Sequence, residues 1–312
     1  MRKFVLLCAS IFGMVLLFSA GPARAQFVLF VGPSGSDTNG CTPSAPCATF
    51  QGAINKFPVA NSQINCLGTG NYGPITITFS LTIDCGSGNV GNIVSSSVNG
   101  ITINTTAAAT IILRHLALNG LSTSTGVSGI NATSFFSGTL IVEDCMINGY
   151  HDGSGITFEP QSGRGLLQVS NSQFIDNVTG LLASPASGQI ASVTLNKVEL
   201  VGNSFEGLLL TGPGIIAGTM RDSVVGENGE SGVLAVASQV FFTIEESSIV
   251  DNLLNGIQSA SAGSSVKVGA STIGGNGTGV KATVGGSVVS FGDNHISDNG
   301  SDGNFTSTKA LQ

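Results

Sequence analysis

The 312-residue chain carries 44 Gly and 17 Phe, with two Tyr, no Trp, 11 Lys+Arg and 18 Asp+Glu. Charged residues make up 9% of it, against roughly 25% in an average globular protein, and Gly is about double its usual share. Intrinsic disorder, which needs high charge and low hydrophobicity, is excluded, as are Glu/Lys-rich coiled coils; collagen is excluded because the glycines follow no three-residue period.

At the N-terminus, Arg2 and Lys3 precede a mostly apolar run from Phe4 to Phe18, and Ala23-Arg24-Ala25 supplies a small-x-small site. This is the layout of a secretory signal, so residues 1–25 are expected to be removed, leaving Gln26 first. A membrane anchor is the competing reading, but it asks for a span of about 20 apolar residues. Cys8 lies well before the cleavage site, which argues against a lipoprotein. Loss of Arg2, Lys3 and Arg24 makes a chain already at −7 still more acidic. Such a chain repels a phosphate backbone, so no nucleic-acid partner is expected. No later segment reads as a membrane span after signal cleavage, and the expected location is secreted or periplasmic.

Residues 26–63 read as an entry loop and a capping helix. Phe50, Ala53, Ile54 and Phe57 fall at i, i+3, i+4 and i+7, with Thr49 as N-cap and Pro58 as the stop. A helix here would cover the open end of the strand-rich region C-terminal to it, because an uncovered strand edge recruits other chains.

From residue 64 to 302 the chain repeats. Gly followed by an aliphatic residue recurs at Gly100, Gly129, Gly155, Gly180, Gly207, Gly232, Gly256 and Gly279, at separations of 23 to 29 residues. Asn177, Asn203, Asn228, Asn252, Asn276 and Asn299 recur in step, at separations of 23 to 26. Between these markers lie short alternating strands such as Leu167-Gln168-Val169, Val193-Thr194-Leu195 and Phe242-Thr243-Ile244. Alternation in short pieces cut by Gly, Asn and Ser indicates strands and turns and excludes helices of ordinary length.

A unit of about 25 residues with three such strands is one turn of a parallel β-solenoid. The fold class is therefore all-β, a right-handed parallel β-helix of about nine or ten turns, stacked at about 4.8 Å into a rod near 45 Å long. Asn tolerates a left-handed backbone and can bond its counterparts above and below, so the Asn column reads as a turn ladder. The Gly column marks either positive φ or packing too close for a Cβ. Residues 303–312 are left as a tail.

One stretch carries a resemblance. Val31-Gly32-Pro33-Ser34-Gly35-Ser36-Asp37, then Cys41-Thr42-Pro43, Pro46-Cys47-Ala48-Thr49-Phe50 and Ala53-Ile54, resembles the entry segment of secreted bacterial right-handed parallel β-helix proteins of the pectin-lyase-like superfamily. The later Gly-aliphatic turns and the tail from Gly292-Asp293-Asn294 to Asn299-Gly300 look like the same group. The resemblance covers nearly all of the mature chain and is specific for fold. That superfamily contains pectate lyases, polygalacturonases and members without an assigned activity.

Export to an oxidising compartment makes disulfides expected. Cys145 aligns with Ser172, Ser223, Ser247 and Ser271 in a small-residue column that points inward, so it reads as a free buried thiol. Four cysteines then remain, with three possible pairings. Cys41 with Cys47 would brace the entry loop, and Cys66 with Cys85 would tie the first turns. Zinc is the alternative, but no His or second Cys stands at ligand spacing.

Turn alignment also stacks charges. One column reads Arg114, Glu143, Ser170, Asn196, Arg221, Glu245, and the next His115, Asp144, Asn171, Lys197, Asp222, Glu246, Ala270, Asp293. Opposite signs fall in neighbouring turns: Arg114 over Glu143, His115 over Asp144, Lys197 over Asp222, Arg221 over Glu245. Complementary pairing on an outward turn explains that pattern structurally.

The functional alternative makes Glu143, Asp144, Asp222, Glu245 and Glu246 a face that binds calcium or positions a uronic acid. The resemblance implies motifs to seek. The polygalacturonase signatures Asn-Thr-Asp, Asp-Asp, Gly-His-Gly and Arg-Ile-Lys are all absent. The pectate-lyase pattern, a carboxylate cluster for calcium with an Arg as base, is matched nearest by Arg221-Asp222 with Glu245-Glu246 one turn on. Calcium, if bound, would then sit on Asp222, Glu245 and Glu246; no other cofactor is expected. Tyr150-His151-Asp152 is an isolated polar patch that equally reads as a solvated loop.

The function expected is a secreted, non-catalytic β-helix module, monomeric, contacting polysaccharide or the cell surface. The alternatives are a calcium-dependent polysaccharide lyase or other glycan-cleaving enzyme, and a self-associating adhesive rod.

Overall fold

A computed structural model describes residues 27–86, 88–121 and 127–309. The expected leader lies outside the described residues, as does the end of the tail. The chain is a parallel β-solenoid of about nine turns with one short helix near its N-terminus. Each turn lays one short strand on each of three parallel sheets. In one turn 193–196 belongs to the first sheet, 199–201 to the second and Leu208–Leu210 to the third.

Alternation decides which side chains face inward. Along Ser62–Cys66, residues 62, 64 and 66 are buried and their neighbours are partly exposed. The parallel register then stacks like on like: Ile83, Leu113, Val142, Val169, Leu195 and Met220 follow one another up the first sheet. All are at most 2% exposed. Burying one aliphatic side chain is worth about 1.5–3 kcal/mol, so every turn adds its own share of core.

The helix is Phe50–Lys56 with Thr49 as N-cap, whose hydroxyl accepts from the Gly52 N–H at 2.8 Å. Asp37 accepts from the N–H groups of Ala48 and Thr49, both at 2.9 Å, and fixes the approach to the cap. The helix buries Phe50, Ala53 and Ile54, and Phe50 packs on Tyr72 with ring centroids 5.1 Å apart. Gln51 accepts from the Thr76 N–H at 2.8 Å, which satisfies an edge donor of Ile75–Ile77, the first strand on the third sheet. Stacking begins before the helix, because Val28–Val31 pairs with Ser62–Cys66, and it runs past residue 302 through Ser307–Thr308.

Disulfides join Cys41 to Cys47 and Cys66 to Cys85. Cys145 is free and buried.

Two sharp corners separate the sheets. At the first corner His115, Asp144, Asn171, Lys197, Asp222, Glu246 and Ala270 all take positive φ, between 47° and 55°. One left-handed residue reverses the side-chain direction and turns the strand. It also takes the following N–H out of the regular ladder. Ser supplies the repair: the Val198 N–H donates to Ser223 Oγ at 3.1 Å, and the Ser223 hydroxyl donates to the Arg221 carbonyl at 2.7 Å. Ser247 and Ser271 repeat this on the next turns.

The second corner also turns on a left-handed residue, and that residue is not the Asn. Asp176, Glu227, Asp251 and Asp298, or Gly149, Gly202 and Gly275 on other turns, hold the positive φ. The Asn at the same corner points inward and forms the expected ladder. Glycines in the Gly-aliphatic column lack positive φ; what they answer is close approach. A Cβ on Gly180 would lie 2.6 Å from the Gly207 carbonyl oxygen and 3.0 Å from Asn203 Nδ2.

Candidate functional site

The aligned columns of charge come together along the first corner as the spacing predicts. The register pairs Arg114 with Glu143 and Arg221 with Glu245 on consecutive turns. Arg114 Nε donates to Glu143 at 2.8 Å. Arg221 reaches Glu245 at 2.5 Å and Glu246 at 3.4 Å. Lys197 and Asp222 occupy neighbouring turns but form no ion pair among the described residues.

This arrangement bears on the calcium and base readings. The Glu245 hydrogen bond first, then the Glu246 and Glu245 charges, raise the Arg221 pKa further, opposite to what a general base needs. Glu245 and Glu246 are both drawn to that guanidinium instead of converging with Asp222 on a common point. Among the described residues no group of three or more His, Cys, Asp or Glu side chains is arranged to hold a metal ion. Asp222, Glu245 and Glu246 thus form no such group, and no step is derived through calcium.

Tyr150-His151-Asp152 also comes apart. Tyr150 is fully buried; its hydroxyl lies 3.0 Å from Ser95 Oγ, and its N–H donates to Asn177 Oδ1 at 3.2 Å, so it heads the Asn column. Burial pushes its phenol up to about 12, against the opposing Ser95 hydrogen bond. His151 turns away to Asp176 at 2.9 Å. Tyr72 is buried as well, so neither Tyr offers a face to a sugar ring.

What the structure adds is a groove. One hollow of about 470 Å³ runs along the first corner past His115, Asp144, Asn171 and Lys197, with Met146 and Gln173 of the second sheet beside them. Another of about 550 Å³ lies toward the N-terminal end against Gln63, Asn65 and Asp84. Asn89 and His115 line both. From Asn65 to Lys197 the two cross six consecutive turns, a run of about 24 Å at the normal strand spacing.

His115 sits where the hollows meet. Its Nδ1 is 2.9 Å from Asp84 and its Nε2 is 3.6 Å from Asp144, so the ring bridges carboxylates one turn below and one turn above. The Gly86 N–H holds the same Asp84 oxygen at 2.8 Å. Sequence reasoning placed His115 in the charged column but not at a groove, because the hollow is formed by segments far apart in the chain. The signal available was the Arg114-His115 pair facing Glu143-Asp144 one repeat on.

No helix among the described residues is long and apolar enough to cross a membrane. No protein-family model matches the chain, and no curated protein does. Solved structures do match in fold. Pectate lyase Pel9A superposes with a TM-score of 0.64 at 15% identity, over 92% of this chain and 79% of that one. The A-module of mannuronan C-5 epimerase AlgE6 from Azotobacter vinelandii gives 0.59 at 20% identity, over 80% of this chain and 71% of that one. The three stacked sheets and this likeness together show the fold of the chain: a parallel β-helix similar to those of pectate lyase Pel9A and the AlgE6 A-module.

Proposed function

We propose that the protein is an exported, non-catalytic β-helix module that holds a polysaccharide strand along the first-corner groove. The observation that carries this reading is the pair of adjoining hollows, sharing Asn89 and His115, that together span six turns and are lined by polar groups with Met146 as an exposed apolar contact. Two open hollows in line along the rod suit a chain-like ligand better than a compact one. Lys197, outside every ion pair among the described residues, is the group that would meet a uronic carboxylate. Two solved β-helices of like fold carry polysaccharide-acting names, which supports a glycan ligand. The two disulfides suit an oxidising compartment.

Affinity electrophoresis in gels containing polygalacturonate, alginate or a neutral glucan tests the reading. Retardation by a uronate polymer, weakened by Lys197→Glu and by Met146→Asp but not by Lys281→Glu on the third sheet, is expected. Unretarded migration in all three gels would overturn it.

The enzyme reading differs in one respect. A calcium-dependent lyase would generate unsaturated sugar ends and would lose that activity on Asp222→Ala or Glu246→Ala. The Arg221 ion pairs favour the non-catalytic reading.

A further inference from the structure

Alternation along the third sheet sends a side chain of each short strand outward, and the register stacks these in a row. Thr102, Asn131 and Thr157 make its N-terminal part, followed by Leu182, Leu209 and Leu234 on consecutive turns and then by Gln258 and Lys281. The three leucines are partly exposed between buried neighbours, so they face away from the core. Phe205 and Leu254, 46% and 49% exposed, stand just ahead of the strands that hold Leu209 and Gln258 and carry the apolar surface onto the second corner. Outward leucines on successive turns add nothing to the rod's own core, and a contiguous exposed apolar patch marks contact with another surface.

Charge brackets this row. Within the third-sheet strands from Ser154–Pro160 to Thr278–Ala282, the only charged residues are Glu159 and Lys281, one at each end. The register sets them five turns apart, about 24 Å at the normal strand spacing. Neither forms an ion pair among the described residues. Burial raises the Glu159 pKa, and no neighbouring cation opposes it. A face with an acid at one end, a base at the other and leucines between is complementary to a copy of itself turned end for end.

We infer that the third sheet is the contact face of a homodimer whose two rods lie antiparallel, in place of the monomer expected from the sequence. A two-fold axis along the strand direction, halfway between the Leu209 and Leu234 turns, sets Leu209 of each copy against Leu234 of the other. The same operation lays Leu182 over Gln258 and Leu254 over Val178. It also brings Lys281 above the Thr157 position of the other copy, two residues along the strand from Glu159. That offset is about 7 Å, which a Lys side chain can span. Parallel rods would instead put Glu159 against Glu159 and Lys281 against Lys281, which is repulsive. The first corner joins the other two sheets, so both grooves stay open in the pair.

Sedimentation equilibrium of the 26–312 protein over a wide range of concentration reads the association directly, and a mass twice that of the chain is expected. Leu209→Asp places a carboxylate against Leu234 of the other copy and should leave a monomer with unchanged circular dichroism. Glu159→Lys alone and Lys281→Glu alone should each weaken the dimer about tenfold, because two attractive contacts per pair become repulsive. Combining the two reversals in one chain restores opposite charges and should recover the wild-type association constant. A monomer at every concentration, or a dimer that Leu209→Asp leaves intact, overturns the proposal. Single reversals without effect, or a double reversal as weak as either single one, overturn it as well. Should Leu209→Asp fail to fold, the three charge variants decide alone.

Discussion

Asn228 donates from Nδ2 to Asn252 Oδ1 at 2.8 Å and to the Leu200 carbonyl at 3.0 Å, while its own Oδ1 accepts from both the N–H and the side-chain amide of Asn203. One side chain thus serves groups on the turns before and after it. Asn203, Asn252 and Asn276 repeat the pattern, and each is at most 1% exposed.

Asn228→Ala leaves the Asn203 amides and the Leu200 carbonyl without partners in a dry interior. A buried unsatisfied group costs about 1–3 kcal/mol, so the change should destabilise the protein by about 3 kcal/mol or more. Urea unfolding followed by circular dichroism measures this. A loss below about 1 kcal/mol would mean that water enters the corner and takes over the bonds.

Gly232 separates close approach from backbone freedom. A Cβ there would meet the Gly256 carbonyl oxygen and Asn252 Nδ2, each at 2.8 Å. At Gly163, φ is +62° and nothing lies within 4 Å. Gly163→Ala should therefore cost only the left-handed penalty of about 1–2 kcal/mol. Gly232→Ala should cost clearly more, since backbone on the next turn must move. Comparable melting temperatures for the two variants would contradict the assignment.

Cys145 lies in the Ser column, its N–H donating to Ser172 Oγ at 3.1 Å. Burial pushes its thiol up to about 12, with the Asp144 and Glu143 charges adding to the effect and backbone hydrogen bonds opposing it. The nucleophile is the thiolate, so the native 26–312 protein should resist iodoacetamide at pH 8 and take up one label per chain in urea without reductant. Labelling of the native form would show that the first corner opens.

The stacking was legible because it depends on single residue types at fixed spacing. Asn, Gly and inward Ser each recur once per turn, and each answers one geometric demand of a coil. The helix was equally legible, since Thr49, the apolar spacing and Pro58 all act locally. Which residue bends the second corner was not: Asp176 and Asn177 are both types that tolerate positive φ, and only the ladder's demand for an inward amide decides between them. Tyr150 was misplaced for a related reason, because a Tyr-His-Asp run reads as polar until Tyr150 is seen to head the Asn column. For His115 the pairing over Asp144 was legible, while the closer contact to Asp84 was not, because Asp84 lies 31 residues back on the preceding turn, outside the aligned column.

The central claim is that the first-corner groove binds a polysaccharide and leaves it intact. The most direct measurement incubates the 26–312 protein with polygalacturonate and alginate, with and without calcium, and tracks ultraviolet absorbance of unsaturated sugar ends alongside retention of the polymer. The account predicts retention that weakens in Lys197→Glu, with no rise in absorbance under either condition. Calcium-dependent turnover that disappears in Asp222→Ala or Glu246→Ala would contradict it.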